Sequence, residues 1–277
     1  MKKKQTMEDV VHGVFLLLGL VTVGCVLLIT VYLILSGLPA ITKIGLGNFL
    51  FGTEWSSTAS DPKYGILPFI LTSVYGTCGA ILLGVPVGFL TAVFLSKMAP
   101  KKLRSVMESA VSLLAGIPSV VYGFVGMTVL IPALRHIFPM PFGFSVLAAG
   151  IVLAIMIFPT ITTMAADAMA AVPKSWREAS YGLGATRWET IAHVVLPAAK
   201  SGIFTGIILG LARALGEALA VAMVIGQMKV FPTSLFLPAS TLTTAISADM
   251  GGAMEGGEYS AALWTMALTL FLLSFLF

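Results

Sequence analysis

Six stretches of this chain run for about 20 residues or more with at most two charges each, and that pattern constrains the fold more than any motif. They are Gly13–Leu38, Gly65–Leu95, Val106–Leu134, Phe144–Ala171, Gly202–Gly226 and Tyr259–Phe277. About 20 apolar residues in a helix match the ~30 Å hydrocarbon core of a bilayer, because each residue adds ~1.5 Å. In lipid every backbone amide needs an internal partner, so such runs fold as helices. The composition leaves no aqueous alternative: 58% of residues are hydrophobic and 10% charged, where a soluble domain carries about 25% charged. The fold class is therefore all-α, a polytopic membrane protein with about six transmembrane helices.

Charge placement sets the expected orientation. Lys2, Lys3 and Lys4 precede the first run; Lys97, Lys101, Lys102 and Arg104 follow the second; Lys174, Arg177, Arg187 and Lys200 follow the fourth. The other side holds only Lys43, Lys63, Arg135 and Lys229. The positive-inside rule puts both termini and the first group of loops in the cytoplasm. The net charge of +4 thus reads as topology, without the basic face and interleaved aromatics of a nucleic-acid binder. The N-terminal run is too long for a signal peptide and lacks a small-residue cleavage site, so it reads as a retained helix. The last run ends at Phe277 without a polar flank, as a truncated chain or a shorter final helix would.

Nothing in the chain suggests a catalytic centre, a metal site or a cofactor. Cys25 and Cys78 lie inside apolar runs, and His12, His136 and His193 are scattered. Glu108 and Asp167 fall near span ends, where water reaches them. Pro39–Tyr64, with Phe49, Leu50, Phe51 and Trp55, is expected along the outer interface, and Gln227–Glu258 is expected to contain a short re-entrant helix. Pro86 between Gly84 and Gly88, and Pro118 beside Gly116, are expected to loosen two helices; such breaks line binding sites in some transporters and are filled by neighbouring side chains in others.

The segment Pro173–Pro197 carries two helix-start signatures, Ser175 with Glu178 and Thr186 with Glu189, each a capping box. Gly184 stands where the first helix needs a left-handed residue, and Pro197 is expected to close the second. The spacing predicts a helix–turn–helix with an apolar side from Trp176, Ala179, Leu183 and Trp188. On spacing alone it is either an interfacial linker or a docking element.

Within the fifth run, Arg213 and Glu217 are four residues apart, which on a continuous helix places them on one face, able to offset each other's charge. Gly202, Gly206 and Gly210 form a small-xxx-small series suited to close helix approach. A charge at mid-bilayer costs at least ~2.5–3.5 kcal/mol, so the pair faces protein or a polar pathway. It is either an ion pair that fixes packing or a polar site on a translocation route, and an arginine fork suits an oxyanion.

Glu178-Ala179, Gly184 and Val194-x-Leu196-Pro197 resemble the EAA motif of ABC importer permeases, with Ser180 in place of the third-position Ala and Val194 in place of Ile. Arg213–Gly226, Ala115–Gly126 and Tyr64–Pro68 are similar to phosphate-importer permeases of the PstC type, with Ala218 where threonine is usual. The resemblance implies a type I ABC importer permease fold: residues 1–64 forming a transmembrane helix plus extracytoplasmic segment, and 65–277 a permease core with coupling loop 173–197. It implies that Glu178, Ala179 and Gly184 couple to an ATPase, with Arg213 and Glu217 on the substrate pathway. The implied partners are a homologous second permease, two cytoplasmic ATPase subunits, an extracytoplasmic phosphate-binding protein, phosphate and membrane lipid, and the implied location is the plasma (cell inner) membrane. No G-x-x-x-x-G-K-[ST] occurs, so ATP hydrolysis is expected on a partner. A permease for another oxyanion or small polar solute is the neighbouring reading. An ion-coupled secondary transporter would leave the coupling-like loop unexplained, and an intramembrane enzyme would need a nucleophile and base that the spans do not offer.

Overall fold

The computed structural model describes residues 2–57 and 59–276, the side chains of 2–10 excepted. The charges of Lys2–Lys4, on which part of the topology rests, and the terminal Phe277 therefore lie outside the described residues. Among those described, six helices are long and apolar enough to cross a membrane: Val11–Ile44, Leu67–Met98, Ser119–Ile137, Val146–Ala170, Arg187–Gly216 and Glu258–Leu276.

The first helix, α1 (Lys2–Ile44), continues through Pro39 beyond its expected end, and α2 (Leu46–Phe51) follows. A two-stranded antiparallel hairpin comes next, with Trp55 opposite Tyr64 and Ser56 opposite Lys63. Its edge carries a Lys63–Glu54 ion pair, whose hydrogen bond and charge hold the Glu54 carboxyl below its ordinary value of 4.5. The expected interfacial stretch is in fact partly core. Phe49 and Trp55 are buried with Tyr64, Ile66, Phe69, Leu242, Leu263 and Met266, and only Phe51 of the aromatic set is strongly exposed. The hairpin turns Trp55 inward against Tyr64 and Phe69, at ring separations of 5.5 and 5.4 Å.

Next come α3 (Leu67–Val93), one π-helical turn at Phe94–Met98, and α4 (Lys101–Gly116). The expected third span breaks at Ile117–Pro118, both extended, since a proline disfavours helical backbone at the residue before it. Beyond it, α5 (Ser119–Val125), a π turn at Gly126–Leu130 and α6 (Ile131–Ile137) form the crossing segment. Pro86, in contrast, leaves α3 unbroken. Its flanking glycines serve helix approach: a Cβ on Gly84 would stand 2.9 Å from Ile157 Cγ1, and one on Gly88 3.1 Å from Ile161 Cγ2.

Those isoleucines belong to α7 (Val146–Ala170), which starts at Ser145, whose hydroxyl accepts from Ala148 N at 3.2 Å. This helix is apolar on every side, the pattern of a buried element, and it forms the axis of the bundle, packed chiefly against α3. After the 173–197 loop, described below with its α8 and α9, the chain enters α10 (Leu196–Gly216). Gly202, Gly206 and Gly210 do lie on the face that meets α7: added Cβ atoms would fall 2.5 Å from Ala168 Cβ, 2.7 Å from Met164 Cβ and 3.1 Å from Ile161 Cγ1. Where lipid supplies no hydrophobic drive between helices, such close approach is what holds them together.

The chain closes with α11 (Leu219–Ile225), α12 (Leu242–Asp249) and α13 (Glu258–Leu276). The short helix expected within 227–258 is α12, capped reciprocally by Thr241 and Thr244. Lys229 reaches it from the preceding loop, donating to both Asp249 oxygens at 2.8 and 2.6 Å. On α13, Thr265 Oγ1 donates to Gly37 O of α1 at 2.7 Å, and Trp264 meets Tyr32 edge-on at 5.0 Å. From Val11 to Ile29, α1 is exposed along its whole surface.

Candidate coupling loop and intramembrane polar site

The loop folds as a helix pair. Its first helix, α8 (Lys174–Gly182), starts after Pro173, whose backbone is extended at ψ 139, and no side chain caps it. The Ser175–Glu178 box is therefore absent. The proline at the N-cap sets the helix start at Lys174, one residue before Ser175, which puts Ser175 inside the first turn rather than ahead of it. Glu178 and Ala179 are exposed.

The turn behaves as its glycine requires. Gly184 has φ +87, a conformation that costs other L-residues roughly 1–2 kcal/mol. Its N–H donates to Tyr181 O at 2.9 Å, and Ala185 N–H to Ser180 O at 3.2 Å, closing the end of α8. The second box is present in full: Thr186 Oγ1 accepts from Glu189 N at 3.3 Å, while Glu189 Oε2 accepts from Thr186 N at 2.7 Å. It starts α9 (Arg187–Thr190). The side chains of Ser180 and Thr190 then bond at 2.9 Å and tie the two helices together. Ser180 is the position that departs from the EAA pattern, and its hydroxyl makes a bond an alanine could not.

Pro197 does not end this second helix. The chain passes from α9 through a π turn, Ile191–Val195, directly into α10. Leu196 N bonds Ile191 O, a five-residue step. Pro197, which has no N–H to give, is then accommodated at the start of the resumed α-helix. The outer side of the pair stays uncovered: Trp176 is 55% exposed, Leu183 90% and Trp188 60%.

Arg213 and Glu217 are not brought together. No ion pair joins them among the described residues. The helix stops at Gly216 and Glu217 is extended, with φ −75 and ψ 121, so the i,i+4 geometry that would align them is lost. Arg213 sits exposed on the last turn of α10. Glu217 turns the other way and half-buries. Its Oε1 accepts from Ala220 N at 3.1 Å, capping α11, and its carbonyl accepts from Thr243 Oγ1 at 2.9 Å. A narrow cleft there is lined by Glu217 with Ser73, Thr77, Thr241 and Thr243. Ser73 Oγ accepts from Leu242 N at 3.0 Å. The break thus converts one expected ion pair into two sites: a fixed polar knot inside the bundle and a bare arginine on its surface.

The chain is similar to known proteins over most of its length. Residues 84–277 match the family model described as "Binding-protein-dependent transport system inner membrane component". The chain belongs to this family. The permease is 47% identical over 261 residues to a Bacillus subtilis (strain 168) protein named "Probable ABC transporter permease protein YqgH", covering 94% of this chain and 84% of that one. It is 38% identical over 247 residues to the phosphate transport system permease protein PstC of Xylella fastidiosa (strain 9a5c), covering 82% and 75%. With the Haemophilus influenzae protein of the same name it shares 34% over 290 residues, 98% of this chain and 88% of that one. Among solved structures, a bacterial alginate ABC transporter chain superposes with a TM-score of 0.63 at 18% identity, covering 97% of this chain and 93% of that one. A chain of the MetNI methionine ABC transporter gives 0.56 at 21%, covering 76% and 88%. At those identities the likeness is one of fold, that of type I ABC importer permeases. The permease is a multi-pass membrane protein, and a component of a binding-protein-dependent system works with partner subunits.

Sequence reasoning missed the three π turns and the cap made by Glu217. For the latter the signal was present: Gly216 directly before an acidic residue three positions ahead of Ala220 is a stop followed by a start.

Proposed function

We propose that the permease is one half of the membrane channel of an ATP-driven importer that carries inorganic phosphate across the plasma membrane, its termini on the cytoplasmic side. It pairs with a homologous second permease, two cytoplasmic ATPase subunits and an extracytoplasmic phosphate-binding protein. Hydrolysis takes place on the ATPase and reaches the permease through the 173–197 loop, where Glu178 and Ala179 touch the partner and Gly184 shapes the turn. The observation that carries this reading is the bare Arg213 on a helix of membrane-spanning length. A guanidinium in hydrocarbon is strongly disfavoured, so that face of α10 looks onto a partner helix or a polar route. A planar fork of N–H donors is suited to an oxyanion. Phosphate as the ion rests on the names of the relatives, and the division into a 1–64 segment and a 65–277 core is part of the same reading.

In this mechanism the loop and α10 move as one body between two states, alternately opening the route past Arg213 to each side. Glu217, held by Ala220 N and Thr243, keeps the break beyond Arg213 in a fixed geometry. The test is ATP-dependent uptake of radiolabelled phosphate into vesicles holding the permease with its partner subunits. Wild type should transport; Arg213→Ala should assemble but transport poorly; Glu178→Lys should lose ATPase association. ATP hydrolysis stimulated by a different oxyanion, with no phosphate uptake, would replace the substrate and keep the importer. Failure of any ATPase subunit to associate would remove the coupling role and favour an ion-coupled transporter.

A further inference from the structure

Beside the loop lies a cavity of about 180 Å³ that the transport reading does not use. Ser96 and Lys97 enter it from the π turn that ends the second span, Arg177 and Tyr181 from α8, and Arg187 and Thr190 from α9. The π turn Ile191–Val195 closes one wall. Three cations thus share one cavity, no carboxylate lines it, and among the described residues none of the three is in a salt bridge.

Two buried donors on residues that line it have no partner among the described residues. Arg177 Nε and Ser96 Oγ are both shielded from solvent and make no hydrogen bond to the described residues. Buried polar groups are almost always paired, and an orphaned guanidinium nitrogen is among the costlier exceptions. Lys97 is held in place by a bond from Nζ to Met169 O at 3.0 Å, which leaves its remaining protons free. The donors come from three different elements. Three cations brought together from separate elements suit the several oxygens of a tetrahedral oxyanion, whereas a planar carboxylate would be met by one guanidinium fork and would leave the other two charges unbalanced.

We propose that this cavity is a phosphate-group binding site, separate from the transport route. One phosphate group accepts from Ser96 Oγ and Arg177 Nε and is balanced by Lys97 and Arg187. It clamps the end of the second span to both helices of the loop. The group arrives either as free phosphate or as the headgroup of an anionic phospholipid; both offer the same oxygens. The inference holds whatever solute the permease carries.

The experiment follows the acylation rate of Lys97 by mass spectrometry in the purified full chain in lipid nanodiscs. In phosphatidylcholine discs, inorganic phosphate is titrated; in a second arm, phosphatidylglycerol replaces part of the lipid and no phosphate is added. Only the unoccupied fraction reacts, so at ten times the dissociation constant labelling should slow about tenfold. Protection in the first arm identifies the free ion, and in the second the lipid. Ser96→Val and Arg177→Gln should each abolish protection, while Arg213→Ala should retain it. The proposal is overturned if neither arm protects Lys97, or if Ser96→Val and Arg177→Gln protect as well as wild type. Protection that arises only when the ATPase subunit is added, in discs and buffer that do not themselves protect, would make the occupant a partner carboxylate and also overturn it.

Discussion

Gly182 and Gly184 stand two residues apart in the loop, and the structure assigns opposite signs to the same substitution. Gly184 has φ +87 and an added Cβ would meet nothing within 4 Å. The cost of Gly184→Ala is then purely conformational, roughly 1–2 kcal/mol for a left-handed L-residue, or a factor of about 5–30 in the population of the closed turn. Gly182 is the last residue of α8 without positive φ, and its Cβ would also meet nothing. There alanine removes chain entropy from the open state and should favour the helix by up to about 0.5–1 kcal/mol. Hydrogen exchange in the intact chain reads both effects at two amides, Gly184 N–H to Tyr181 O and Ala185 N–H to Ser180 O. In Gly184→Ala these should exchange about 5–30 times faster; in Gly182→Ala they should slow or stay unchanged. Gly184→Asn should fall between, since asparagine tolerates this region better. Equal exchange in wild type and Gly184→Ala would refute the argument, because no steric term is available to mask a conformational cost. If ATPase association falls with the turn's population, the loop geometry is what the partner reads.

Further expectations follow from single contacts. Thr186→Ala should cost the second loop helix about 1 kcal/mol and Thr186→Ser much less, by local exchange at Glu189 N, because the hydroxyl is the acceptor. Gly206→Leu forces a side chain into a gap where even a Cβ falls 2.7 Å from Met164 Cβ; it should destabilise the α7–α10 contact by at least ~1–3 kcal/mol in a denaturant titration, and an unchanged midpoint would contradict the assigned face. Lys229→Met leaves Asp249, whose side chain is 12% exposed, without its partner, and should destabilise by about 1–3 kcal/mol, with Asp249→Asn partly rescuing it in the double variant. The lowered pKa of Glu54 means that its pairing with Lys63 contributes above the ordinary value of 4.5 and is lost as pH falls through the lowered one. Protection at Gly65 N, which donates to Glu54 O at 2.9 Å, should therefore decline below that value once intrinsic exchange is corrected for, and a flat profile would show that the exposed pair does nothing for the hairpin.

What could be read in the sequence is what local chemistry alone decides. Long uncharged runs have one solution in lipid, so the six spans were legible. So were the left-handed turn at Gly184, the box at Thr186–Glu189 and the packing of Gly202, Gly206 and Gly210, while at Pro118 a loosened helix was expected and a full break is found. The errors arose where two local signals competed. Ser175 and Glu178 match a capping box, but Pro173 had already set the helix start. Pro86 and Pro197 read as breaks, yet glycine-mediated packing against α7 holds the first in place, and a π turn accommodates the second. Arg213 and Glu217 read as neighbours only while the helix between them was assumed continuous. The cavity under the loop was illegible because Ser96, Lys97, Arg177 and Arg187 meet only after two distant segments fold together.

The uninterrupted helix from Arg187 to Gly216 makes a stiff lever. Its 30 residues span roughly 45 Å, so a tilt of ~5° about one end carries the other through ~4 Å. The loop holds one end, and Arg213 sits one turn from the other, just before the break at Glu217. A small rotation at the exposed helix pair is therefore delivered to the arginine nearly whole, with no chain of intervening side chains to dissipate it.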